Sequence, residues 1–147
     1  MQIEIANIFN VNEAAALFDQ YRVFYGKQSD PEAAQRFLSE RLVHQQSVIL
    51  LARDASGASV GFTQLYPTYS SVSMRKKFIL NDLFVSPHAR GQGVGAALLD
   101  RAKMVAKEYG AVALALSTAV TNERAQQLYQ ANGWKLETDF LSFNFSL

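Results

Sequence analysis

The chain has 147 residues, a formal charge of +1, 49% hydrophobic and 18% charged residues, the balance of an ordinary globular protein of a single domain spanning 1–147. So small a net charge supplies no global field for nucleic acid or an anionic membrane, and neither partner is expected. Cysteine is absent, which excludes disulfides, thiolate metal ligands and a cysteine acyl-enzyme; without a signal peptide or a membrane-length apolar run, a cytoplasmic location is expected.

The first residues, MQIEIANIF, alternate at Ile3 and Ile5 and predict a short strand. Asn12 is placed to cap a helix over 13–25, with Ala14, Leu17, Phe18 and Tyr21 at helical spacing. Asp30-Pro31 is a stronger start, a capping side chain followed by proline at the first helical position; that helix buries Ala34, Phe37, Leu38 and Leu42. The period then changes to two. SVILLAR (47–53) and VGFTQLYPTY (60–69), joined by DASGA, predict an antiparallel hairpin, with Pro67 marking a bulge or strand end. SSVSMRKK is a polar connection, and FILNDLFV (78–85) is apolar on both faces, as in a central strand.

PHARGQGVGAAL (87–98) follows and opens the clearest helix, with Ala96, Leu99, Ala102, Val105 and Tyr109 in register and Gly110 as its stop. AVALALS (111–117) predicts another buried strand. TNERAQQLYQANG predicts a helix capped by Thr121 or Asn122 and ended at Asn132-Gly133. WKLET and DFLSFNFSL predict two last strands, the final one with Leu141, Phe143, Phe145 and Leu147 on one face. The resulting order, β-α-α-β-β-β-α-β-α-β-β, is an α/β fold, a mixed sheet with helices on both faces.

Three alternate glycines in five residues exceed what a tight turn needs, because each costs backbone entropy. A helix that begins at such a turn aims its free N–H groups and the positive end of its dipole at it, and glycines let a phosphate approach the backbone. No Lys follows these glycines, so the nucleoside-triphosphate loop is excluded. Gly91, Gly93 and Ala96 do satisfy the dinucleotide spacing, but the next strand ends Ser117-Thr118-Ala119 without the acid that would hold a ribose.

Arg90-Gly91-Gln92-Gly93-Val94-Gly95 matches the R/Q-x-x-G-x-G/A motif of the GNAT superfamily of acyl-CoA-dependent N-acetyltransferases, and NERAQQLYQANGW resembles that family's second motif. The segment VGFTQLYPTY…FILNDLFVSPHARGQGVG is further similar to the diamine and spermidine/spermine acetyltransferase branch. The resemblance implies the GNAT fold and acetyl-CoA as acyl donor, with no metal. It places the pantetheine arm along the backbone of Leu83, Phe84 and Val85, as an added strand. It places the pyrophosphate on Arg90, Gly91, Gln92, Gly93, Val94, Gly95 and Ala96, and further cofactor contacts on Asn122 to Ala125. A homodimer is implied as well.

Transfer of an acetyl group to an amine needs a neutral nucleophile and a proton for the departing thiolate. Tyr129 matches the family's tyrosine acid. The polyamine enzymes carry glutamate where Asn81 stands, and an amide accepts no proton at neutral pH, so Asn81 holds a water or orients the amine. Strand alternation turns the neighbouring Asp82 to the opposite face, where a structural role is expected. Tyr21, Tyr25 and Tyr66, with Phe24 and Tyr69, are aromatic candidates for contact with a small-molecule amine. Two readings follow: an N-acetyltransferase acting by direct attack of a small-molecule or peptide amine on the thioester, or a non-catalytic acyl-CoA sensor, which Asn81 favours and Tyr129 opposes.

Overall fold

The computed structural model describes residues 1–147, which divide into two compact units, Met1–Ser117 and Thr118–Leu147. The first contains β1 (Gln2–Ile5), α1 (Val11–Phe24), α2 (Pro31–Val43), β2 (Val48–Arg53), β3 (Ser59–Ser70), β4 (Arg75–Val85), a single 3-10 turn (Pro87–Ala89), α3 (Val94–Glu108) and β5 (Leu114–Ala115). The second contains α4 (Glu123–Ala131). The strands lie in sequence order in one sheet, antiparallel from β1 to β4, with β5 parallel to β4. No helix is long and apolar enough to cross a membrane.

The sheet is covered on two faces because its strands are apolar on both. Ile49 and Leu51 of β2, Phe62 of β3 and Phe84 of β4 form one core with Val11, Ala14, Leu17 and Phe18 of α1 and Ala34 and Leu38 of α2. Gly61, the neighbour of Phe62, faces the other way: a Cβ built there would lie 3.1 Å from Val94 Cγ1 and 3.3 Å from Leu98 Cδ1 of α3. At the edge of the sheet Arg53 ties three elements together, bonding Glu13 of α1 at 2.6 and 2.9 Å and Glu4 of β1 at 2.8 Å.

One irregularity sets up the site. Gln64 pairs with Asp82 but Leu65 pairs with Leu80, so Asn81 is an extra residue in β4, a β-bulge. Every second residue from Phe78 to Phe84 is buried, yet the bulge sends them to different faces. Phe84 and Asp82 point toward α1. Leu80 and Phe78 point toward α3, where Phe78 meets Tyr109 edge-on at 5.9 Å.

The sequence expectations hold for the order of the first nine elements and need correction in detail. Helix α1 begins at Val11, and Asn10, not Asn12, stands at its cap; the Asn10 carboxamide is occupied by Asn7 N–H and Glu4 instead. Asp30 caps α2 as expected, accepting from Ala33 N–H at 3.1 Å. Pro67 lies inside β3, paired with Phe78, because β2 stops at Val48 opposite Leu65 and no strand on that side needs its missing N–H. Strand β4 starts at Arg75, so much of the expected polar connection is hairpin, and β5 is two residues instead of seven. The two last strands do not form. Residues 134–147 contain no helix or strand, and Leu141, Phe143, Phe145 and Leu147 are exposed. Alternation makes a segment fit to be a strand, but a strand exists only when it is paired, and residues 134–147 are not.

Candidate active site

The glycine turn has the backbone an anion requires. Gly91 and Gly93 have φ of +75° and +81°, and a Cβ at either would meet nothing within 4 Å, so glycine is demanded by the dihedral and not by crowding. Gly93 is the N-cap of α3, and no side chain caps that end. None of the N–H groups from Gly91 to Ala96 donates within the protein; the first that does is Ala97, to Gly93 O at 3.0 Å. Six unpartnered donors at the positive end of a 15-residue helix fit a diphosphate. The Val94 side chain is buried against Gly61, so only its main chain is available, and Gln92 folds back to donate to His88 O at 3.0 Å.

The adjoining strand is open. Pairing of β4 with β5 covers only Phe78 and Ile79, so Leu80–Val85 have β3 on one side and no strand on the other. Leu83 and Val85 turn their backbone groups to this free side, as an added-strand mode requires, whereas Phe84, two residues before Ser86, whose N–H donates to Val60 O at 2.9 Å, turns its own toward β3. The Val85 carbonyl is the exception: it accepts from Arg90 Nε at 3.0 Å. That bond turns the Arg90 guanidinium toward the α1 side, 5.8 Å from the ring centres of Phe24 and of Phe84.

On the α1 face the bulge gathers a polar cluster within the aromatic core. The Asp82 carboxylate is only 4% exposed; it accepts from Gln64 Nε2 at 2.6 Å, from Asn81 Nδ2 at 3.1 Å and from the Tyr21 side chain. Burial pushes its pKa up, and the three donors oppose that shift. Tyr66, on the same face, has its phenol pushed up to about 12, first by burial and then by the Asp82 charge, with Arg41 acting in the other direction. Tyr25 meets Tyr21 edge-on at 4.9 Å, and Tyr21 meets Phe84 at 6.4 Å.

The structure therefore brings Asn81, Tyr21, Tyr25 and Tyr66 into one neighbourhood and leaves Tyr69 exposed near the end of the β3–β4 hairpin. It corrects the placement of Asp82: simple alternation sets it across the sheet from Asn81, whereas the bulge lets the two side chains bond. Sequence reading missed Gln64. Its side chain is fully buried, its Oε1 has no donor, and an amide between Thr63 and Leu65 in an apolar strand was the available signal.

In the second unit Asn122 is the N-cap of α4, accepting from Ala125 N–H at 3.1 Å, so that donor is already used. Tyr129 is half-buried on α4, its ring 6.2 Å from that of Trp134. Its carbonyl accepts from Trp134 N–H, closing the helix through Asn132 and Gly133.

A mixed sheet with an open strand edge, leading through a glycine turn with free amides into a helix, is the framework of the GNAT acetyltransferases, enzymes that use acetyl-CoA. The chain belongs to the acetyltransferase (GNAT) family, whose model matches residues 14–134, and it is an N-acetyltransferase. It is 48% identical to the uncharacterized N-acetyltransferase YhfO of Bacillus subtilis over 97% of this chain and 95% of that protein. A probable acetyltransferase of Haemophilus influenzae is 31% identical over 100% of this chain and 99% of its own length. The crystal structure of a probable acetyltransferase, 40% identical, superposes with a TM-score of 0.95 over 100% of this chain and 98% of that one. None of these three names specifies an acceptor.

Proposed function

We propose that this N-acetyltransferase moves an acetyl group from acetyl-CoA to the primary amine of a small molecule (polyamine-like, an amino acid or similar) or of a peptide, by direct attack of the amine on the thioester. The observation that carries this reading is the run of unpartnered N–H groups from Gly91 to Ala96 at the head of α3. Acetyl-CoA supplies the activated acetyl group. The chain's own residues hold the donor, orient the acceptor and move protons.

Gly91 to Ala96 bind the diphosphate through main-chain donors, and the open backbone of Leu83, with the Val85 N–H, holds the pantetheine arm. Asn81 orients the amine. Its Nδ2 is fixed on Asp82, so its Oδ1 remains as an acceptor for an amine N–H, in a side chain that is exposed. As the new C–N bond forms and the C–S bond breaks, the nitrogen must lose a proton and the sulfur gain one. Tyr129 gives its phenolic proton to the departing sulfur, and the proton lost by the amine passes through water at Asn81 to solvent, which returns a proton to the Tyr129 phenolate. With no cysteine in the chain, no thioester forms on a protein thiol. The similarity of the β3–β4 segment to the diamine branch supports an aliphatic amine.

Incubation of the purified protein with acetyl-CoA and a panel of amines, following free thiol release and the acetylated product, tests the reading. Amine-dependent thiol release is expected. Binding of coenzyme A without turnover on any amine would overturn it in favour of an acyl-CoA sensor, the reading that the missing carboxylate at Asn81 favours.

A further inference from the structure

Two segments of this chain have the make-up of paired strands and lack the pairing. The first is the last edge of the sheet, where β5 bonds to β4 and to no other strand. Around it AVALALS (111–117) holds no charge, glycine or proline, and Val112, Ala113 and Ala115 are exposed. The opposite edge, β1, is guarded by Glu4 and its ion pair with Arg53. An apolar edge without such a guard invites another strand. The second segment is the tail, FLSFNFSL (140–147), likewise without charge, glycine or proline, in which Phe143 is 89% and Phe145 88% exposed. Leu141, Phe143, Phe145 and Leu147 alternate with Ser142, Asn144 and Ser146, the pattern of a strand with one buried face. Just before it, α4 buries none of its residues.

We propose that the protein is a two-fold dimer in which the tail of each copy pairs with the β5 edge of the other and brings α4 with it, so that Tyr129 of one copy serves the thioester held by the other. The donor and the receiving edge lie on the same chain, so two copies satisfy both needs twice over and the assembly closes. Burying the two leucines and two phenylalanines of both tails removes on the order of 1,300 Å² from water, within the roughly 1,200–2,000 Å² that stable complexes bury. Helix α4 travels with the tail: the Trp134 N–H donates to the Tyr129 carbonyl at 3.0 Å, and the two rings lie 6.2 Å apart. Each active site is then incomplete in a single copy. The part played by Tyr129 rests on the acetyl-transfer reading above; the exchange of strands does not.

Sedimentation of the wild type should give twice the 16.3 kDa of one chain, and the double variant Phe143→Asp, Phe145→Asp should sediment as one chain. A wild-type monomer would overturn the proposal. Placing p-benzoylphenylalanine at position 143 of the full chain and irradiating it locates the contact without any assay of activity. The expected product is a covalent dimer linking that position to residues 111–117. The same link at the mass of one chain, or a dimer linked elsewhere, would overturn the exchange. Finally, Tyr129→Phe and Gly93→Glu chains are co-expressed with different tags and the mixed dimer is isolated. One of its two sites is then intact, giving about half the wild-type turnover although each parent is impaired. No recovery above the parents would show that Tyr129 acts within its own copy and overturn the shared site, whereas a parent as active as wild type would fault the acetyl-transfer roles and leave the cross-link to decide the exchange.

Discussion

Replacing Gly93 separates the turn's backbone demand from its ligand. At φ of +81° an L-residue is strained, and a Cβ there meets nothing within 4 Å, so Gly93→Ala pays only the dihedral cost, about 1–2 kcal/mol. For a chain of this size that lowers Tm by roughly 2–8 °C. Gly93→Glu carries the same strain and adds a carboxylate beside the free amides. At about 5 Å and an effective dielectric near 20, one extra negative charge repels a phosphate charge by about 3 kcal/mol, roughly a hundredfold in affinity. Thermal melts of both variants should therefore agree within a few degrees, while calorimetric titration with coenzyme A should show Gly93→Glu binding about a hundredfold more weakly than Gly93→Ala. Equal affinity of the two variants would refute the argument that phosphates approach this turn.

Gly61→Ala should destabilise by about 1–3 kcal/mol, because its Cβ would lie 3.0 Å from the Phe84 carbonyl and 3.1 Å from Val94 Cγ1; an unchanged denaturation midpoint would count against the packing of α3 described here. Glu13→Gln should cost about 1–2 kcal/mol after allowance for its exposure to solvent, since it breaks the paired bonds to Arg53. Arg53 and Ser59 hold the Glu13 carboxyl down to about 2. Its contribution is therefore complete above its ordinary value and is lost as pH falls from there toward 2; acid titrations of wild type should show this loss and the variant should lack it. Tyr129→Phe should lower turnover more than affinity for either substrate, and unchanged kcat across the pH range would remove Tyr129 as the acid.

What the sequence revealed and what it hid divide along a physical line. The glycine turn and α3 were legible because left-handed dihedrals, a helix start and an apolar stripe are local properties, written in consecutive residues. Asp30-Pro31 was legible for the same reason. The bulge at Asn81 was not, because it belongs to the register of two strands and leaves the alternation of Phe78, Leu80, Asp82 and Phe84 intact while changing the face they occupy. Asp82 was misplaced on that account, and with it the polar cluster around Tyr21 and Gln64. The end of the chain shows the converse error: Leu141, Phe143, Phe145 and Leu147 have the period of a strand, but pairing is a non-local property that the period does not supply. Arg90 belongs to a phosphate motif in sequence, yet its guanidinium is directed by Val85 to the α1 face.

Amide NMR of the 15N-labelled protein, titrated with coenzyme A, addresses the main-chain grip most directly. The amides of Gly91 through Ala96 should shift downfield and become protected from exchange as the ligand saturates, with pantetheine, which lacks the diphosphate, leaving them unmoved. Saturable binding of coenzyme A that leaves those six signals in place would contradict the account.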